Sequence, residues 1–144
     1  NSTNPWQHVL EVVRGYLQSA ILSKKLRKKL NGEAFNFGPN NHQNKNVIQL
    51  VKEMKKHWVK VKWKVEKLKD KKIEAKLLKL NSAKSKKFLS WKPILNFNEA
   101  VELTTLWYKQ FYKNKDNCFK ISRKQILQYE KKFQKLLKNN KKIF

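Results

Sequence analysis

The residues best suited to acid–base or metal chemistry are few: three histidines, ten carboxylates and one cysteine. His8, His42 and His57 are too scattered for a metal site, which draws three or four convergent ligands. His57 reads as a solvated residue at a lysine-rich helix end. The chain has no His-x-x-x-His pair, no G-x-S-x-G elbow and no cysteine cluster, and its three glycines cannot build G-x-G-x-x-G. Glu99 and Glu102 share a helix face, yet no carboxylate pair stands out as a general acid and base. Two segments are different. Asn4-Pro5-Trp6-Gln7-His8-Val9-Leu10-Glu11 sets a proline, a tryptophan and several polar side chains at a helix entrance. Backbone N–H groups there can bind an anion such as a diphosphate; a capped helix start with Trp6 packed on the core is the competing reading. In the second segment, residues 73–84, a polar loop running into a short strand could carry Glu74 toward a ribose diol. A plain surface charge is the alternative there.

The elements that must position these groups follow from periodicity. Val9, Val13, Tyr16, Leu17, Ala20 and Ile21 fall on one helical face, which predicts a helix over 7–30. Lysines complement its carbonyl end, and Asn31-Gly32 stops it. Residues 33–37 read as a buried strand followed by the Gly38-Pro39-Asn40-Asn41 loop. A second helix carries Val47, Leu50, Val51, Met54 and Trp58. From Val59 the period becomes two, with Val59, Val61, Trp63 and Val65 alternating with Lys60, Lys62, Lys64 and Glu66, the pattern of a strand with one wet face. Residues 67–72 read as a loop, 77–80 as a short strand and 82–89 as a small helix. Asn96 with Glu99 predicts a capped helix to about Tyr112. Ser122 with Gln125, flanked by Ile121 and Ile126, predicts the start of the last helix, with Tyr129, Phe133, Leu136 and Leu137 on its buried side.

No internal repeat or Pro/Ser linker divides residues 1–144, so they are expected to form one unit of mixed α and β structure. The chain is 17.3 kDa with a net charge of +25 and 40% hydrophobic residues, too apolar for a disordered basic tail. It has no apolar run of membrane-spanning length and no signal-like opening. A lone Cys118 excludes an internal disulfide and fits a reducing compartment. The charge invites a nucleic-acid reading, but 32 of the 35 basic residues are lysine and only Arg14, Arg27 and Arg123 are arginine. Base and phosphate recognition favours the planar guanidinium fork. Lysine, asparagine, isoleucine and phenylalanine supply 62 residues, whereas glycine, alanine, arginine and proline supply 14. A base-biased genome explains that skew better than a nucleic-acid surface does; a stand-alone lysine-rich module binding nucleic acid non-specifically is the second reading.

Four blocks in order carry a resemblance: P-W-Q-H-V-L-E at 5–11, G-E-A-F-N-F-G-P-N at 32–40, L-K-L-N-S-A-K-S-K at 78–86 running on to Trp91-Lys92-Pro93, and the stretch from Asn98 to Lys109 with the helix opening at 121–129. They resemble the C-terminal half of the CDP-glucose 4,6-dehydratases, extended short-chain dehydrogenase/reductases that act on nucleotide sugars. The resemblance implies an α/β fold: the substrate-binding part of a Rossmann-type enzyme, helices with a few short strands. It implies that the Gly-rich loop, the Tyr-x-x-x-Lys pair and bound NAD belong to an N-terminal half not contained here. The parent activity would convert CDP-glucose to CDP-4-keto-6-deoxyglucose, a deoxysugar step toward lipopolysaccharide O-antigen, in a cytoplasmic and oligomeric lyase. This stretch alone would be inactive, and its length from Asn1 is about what remains once the cofactor half is removed.

By the same resemblance Asn4, Trp6, Gln7, His8 and Glu11 would approach the diphosphate and sugar, and Glu74 the nucleotide ribose. The family carries an arginine where Asn4 stands, His-Glu-Ala where Ile73-Glu74-Ala75 stands, and Leu-Gly-Trp where Leu89-Ser90-Trp91 stands. Family strands such as 34–37 pair with neighbours in the other half.

Overall fold

The computed structural model describes residues 3–25, 30–40, 44–65 and 80–140. Its elements in order are β1 (Thr3–Pro5), α1 (Val9–Lys25), β2 (Asn44–Asn46), α2 (Val47–His57), α3 (Ala83–Leu89), α4 (Phe97–Lys113), a 3-10 turn (Lys115–Asn117) and α5 (Cys118–Asn140). Helices dominate; β1 and β2 form a short antiparallel ribbon in which Asn4 lies opposite Lys45.

Two helix starts follow directly from polar side chains. Asn46 accepts from the Gln49 amide at 2.8 Å while the Gln49 side chain accepts from the Asn46 amide at 2.9 Å, a capping box that opens α2. Asn96 and Glu99 make the same reciprocal pair at α4, as the sequence predicts. Burial raises the Glu99 pKa, but hydrogen bonds from Lys132 and the Asn96 amide, with the Lys132 charge, outweigh it and leave the carboxyl below its ordinary value. Gly32 takes φ 75 in the turn after residue 30, the conformation expected of a helix stop.

Other expectations are corrected. The apolar stripe of α1 points outward: Val9, Val13, Tyr16, Leu17, Ala20 and Ile21 are all exposed, while Glu11 and Gly15 on the opposite side are buried. Residues 34–37 form no strand and make no backbone–backbone hydrogen bond among the described residues. Residues 59–65 are not a strand either. The Val61 amide bonds back to the Trp58 carbonyl at 3.0 Å, and Val59 and Val65 stay solvated. The short strand expected at 77–80 lies outside the described residues except for Leu80, which is in irregular structure. α5 starts four residues before Ser122, because Asn114 accepts from the Asp116 amide at 2.9 Å and turns the chain ahead of Cys118. Ser122 and Gln125 therefore sit within α5 and face α4. Ser122 Oγ accepts from Trp107 Nε1 at 2.8 Å, and Gln125 Nε2 donates to the Leu103 carbonyl at 2.7 Å.

The core has two parts, both centred on the loop between α3 and α4. Leu30, Phe37, Leu89 and Trp91 form one, with Leu22 and Phe35 against it. Leu95, Ala100 and Tyr129 form the other, with Leu10, Ile94 and Leu103. Phe37 meets Trp91 edge-on at 5.0 Å between centroids. A Cβ added at Gly15 would come within 2.7 Å of the Phe37 ring, so this approach of α1 to the 33–37 segment requires glycine.

Candidate functional site

The ribbon and the first turn of α1 place the Asn4–Glu11 segment. Trp6 Nε1 donates to the Lys45 carbonyl at 2.8 Å and its amide bonds to the Asn4 carbonyl at 3.1 Å, which folds the indole onto β2. Gln7 Nε2 donates to the Phe37 carbonyl at 2.8 Å. Its Oε1 is buried with no hydrogen-bond partner among the described residues. His8 is buried and accepts from the Leu10 amide at Nδ1, 3.3 Å away, while its carbonyl accepts from the Glu11 amide at 3.0 Å. Two first-turn amides on which an anion would draw are thus satisfied within the chain. Burial lowers the His8 pKa. The ring is neutral near pH 7, and with Nδ1 accepting, the proton resides on Nε2.

Glu11 is the most heavily engaged residue of the segment, 1% exposed. Its Oε1 accepts from the amides of Ile94 and Leu95, both at 2.7 Å, and its Oε2 from the Tyr129 hydroxyl at 2.8 Å. Its carbonyl accepts from Trp91 Nε1 at 3.3 Å. Arg14 completes the knot. Its Nε donates to Tyr129 at 2.8 Å, one NH2 reaches Glu11 at 3.5 Å and the Lys92 carbonyl, and its guanidinium lies 5.3 Å from the Trp91 ring centre and 5.1 Å from that of Phe133. Gln18 donates to the Leu89 carbonyl. Burial, and then the negative charge of Glu11, push the Tyr129 hydroxyl pKa well up, so it remains a donor. Glu11 and Arg14 therefore fix the 89–95 loop and α5 to α1 by multiple charge-assisted hydrogen bonds.

Two open spaces flank this knot. A cleft of ≈ 480 Å³ brings Gly38-Pro39-Asn40 together with Asn81, Ser82, Lys86 and Trp91-Lys92-Pro93; Ser82 Oγ accepts from the Gly38 amide at 2.9 Å. A groove of ≈ 400 Å³ is lined by Gln7, His8, Val9, Trp107, Tyr108 and Ser122 among others. Trp6 and Gln7 also border a smaller apolar space of ≈ 240 Å³ with Leu50 and Met54. Of the residues singled out from the sequence, Trp6, Gln7 and His8 thus reach open space, and Asn4 is half-buried on the ribbon. Glu11 is enclosed, and Glu74 lies outside the described residues. Sequence reasoning missed Arg14, Lys86 and Lys92; one of three arginines in a chain of 32 lysines was a signal available for Arg14. Among the described residues no group of three or more His, Cys, Asp or Glu could hold a metal ion, and no helix is long and apolar enough to cross a membrane.

No model of a known protein family matches the chain. A stretch of 129 residues, 89% of the chain, is 30% identical to the CDP-glucose 4,6-dehydratase of Salmonella typhimurium and covers 35% of that protein. The chain thus spans about a third of the length of the curated relative it matches. The similarity supports a distant relationship to that dehydratase.

Proposed function

We propose that this chain is the substrate-binding portion of an NAD-dependent nucleotide-sugar dehydratase that converts CDP-glucose to CDP-4-keto-6-deoxyglucose, acting with a separate cofactor-binding half. The observation that supports it is the way the other three resembling blocks gather round the first, in the Asn4–Glu11 segment. Gln7 holds the second block through Phe37, Glu11 holds the loop that follows the third, and Gln7 and His8 share a groove with Trp107 and Tyr108 of the fourth. The described glycines, Gly15, Gly32 and Gly38, lie in three different places and form no phosphate-cradling turn, so the residues present do not fit NAD. In this reading NAD is held by the other half and supplies the hydride acceptor and donor there. This chain's part is to bind and orient the nucleotide sugar and to exclude water.

Within that role His8 Nε2–H is a donor toward the nucleotide sugar, with Gln7, Trp6 and Asn4 beside it and Glu74 near the ribose. Glu11 acts through position, holding the 89–95 loop. With Asn4 in place of a cation, the diphosphate loses a charge-assisted contact worth about 1.5–3 kcal/mol. The test is to express the chain joined to its preceding reading frame and supply CDP-glucose and NAD. A sugar product lighter by one water, measured by mass spectrometry, is expected. A protein that folds and binds NAD yet neither binds CDP nor dehydrates CDP-glucose removes the reading.

A further inference from the structure

The alternation of valine and lysine at 59–65 belongs to no strand, yet it is solvated and basic. Val59 leaves 79% of its surface in solvent, Val65 70% and Trp63 39%, while Lys60, Lys62 and Lys64 between them are exposed. Codon bias accounts for lysines in general but not for this spacing: three of the nine valines and one of the five tryptophans fall within seven residues, every second position. The surroundings are of the same kind. Lys55 of α2 holds its Nζ 5.4 Å from the Trp63 ring centre. Lys109 of α4 donates to the His57 carbonyl at 3.2 Å, and the exposed Tyr112 ring stands 5.7 Å from that of Trp58. The end of α2, the segment 58–65 and the last turns of α4 therefore form one patch, in which solvated valines and aromatic rings are set among lysines. From 52 to 65 there are six lysines and a single carboxylate, Glu53, which is buried and bonded to Lys56 at 2.6 Å.

We propose that this patch lays the protein on an anionic lipid surface, with Val59, Trp63, Val65 and Tyr112 at the headgroup–acyl boundary and the lysines on the negative headgroups. The occupant follows from the pairing of the two chemistries. The valines need an apolar medium, which a nucleic acid strand offers only to stacking rings. Tryptophan and tyrosine settle at the level of lipid headgroups. Lysine is a point charge without the arginine fork, so it suits a diffuse negative surface better than carboxylates at fixed positions. Each lysine close to such a surface strengthens binding about fivefold. A second copy of this chain would instead set one cluster of lysines against another. The contact is peripheral, since no helix among the described residues is long and apolar enough to cross a membrane. It does not depend on the nucleotide-sugar reading.

Vesicle flotation tests this. A chain of charge +25 adsorbs to any polyanion, so the decisive variant keeps the charge. On vesicles of equimolar phosphatidylcholine and phosphatidylserine, Val59→Ser with Val65→Ser should weaken binding at least about tenfold. Both valines are solvated, so the fold is retained, which an unchanged circular dichroism spectrum verifies. Lys60→Gln with Lys62→Gln should also weaken binding at least about tenfold. The same charge change on α5, Lys131→Gln with Lys135→Gln, should alter it less than about threefold at physiological salt. Serine variants that float as well as the wild type overturn the proposal, as does an equal loss from the α5 pair, because either result leaves only general charge. Absence of flotation of the wild type on the anionic vesicles overturns it outright. A wild-type chain that ignores vesicles and binds a single-stranded RNA oligomer through the same patch overturns it in favour of a nucleic-acid surface.

Discussion

Helices α1 and α4 are each 17 residues long, yet they face the chain in opposite senses. α4 buries Phe97, Ala100, Val101 and Thr105, packs on α2 and α5, and leaves Asn98, Glu102, Lys109 and Lys113 in water with Tyr108 and Tyr112 partly exposed. α1 buries Glu11 and Gly15, turns Arg14 and Gln18 inward with Leu10 and Leu22, and leaves Val9, Val13, Tyr16, Leu17, Ala20 and Ile21 outside. An inward polar face is tolerable only when each buried group is matched, since an unpaired one costs several times what a made hydrogen bond returns. On α1 the matching is extensive: two backbone amides and a tyrosine hydroxyl for Glu11, and two backbone carbonyls reached by Arg14 and Gln18. The difference teaches that α4 is held by apolar packing on α2 and α5, whereas α1 is held by its polar side.

The sharpest way to break the comparison is Glu11→Leu. If the polar knot holds α1 in place, this change strands the amides of Ile94 and Leu95 and leaves the Arg14 charge buried without its partner. The expected loss is about 3–5 kcal/mol, read from the urea midpoint. A loss below about 1 kcal/mol would mean that apolar contacts hold α1 and that Glu11 is incidental.

Glu11 also shows how far the sequence could be read. Capping pairs are local, so Asn96 with Glu99 is legible in four residues, and Asn46 with Gln49 is equally so. The α1 stripe was read correctly as an apolar face, but periodicity says only that a face is apolar, not which neighbour covers it. Residues 34–37 looked like a strand for the same reason, and a strand is a pairing that a single chain can lack. Ser122 and Gln125 matched a helix start, but their partners Trp107 and Leu103 lie on another helix and win the competition. The site was visible as a segment, Asn4 to Glu11. The division of labour within it, with Gln7 and His8 on open space and Glu11 enclosed, depends on contacts more than 80 residues away along the chain and has no local signature.

A smaller effect sharpens the picture of the loop that α1 grips. Ser90 caps α3 at φ 52, a left-handed conformation strained for a side chain with a Cβ. Gln18 and Arg14 bind the carbonyls on either side of it, at Leu89 and Lys92, so the loop cannot relax. Ser90→Gly should therefore stabilise the protein by about 0.5–1 kcal/mol, the strain relieved less the added freedom of the unfolded chain. Thermal unfolding of the wild type and variant measures it. No gain in the variant would show the loop to be free and the knot weaker than its geometry.

The smallest expected effect is the most telling. Leu17 stands at the middle of the α1 stripe, and in the 144-residue chain Leu17→Glu should change stability by no more than about 0.5 kcal/mol, as for a solvated surface position. The same chemical change on the inner face of α4, Val101→Glu, buries an unpaired carboxylate and should prevent folding. A leucine that tolerates a charge here is one that none of the described residues packs against, so α1 is held by its polar side. A cost above about 1 kcal/mol at Leu17 would instead place the stripe in an intrachain core, and α1 would then be an ordinary amphipathic helix like α4.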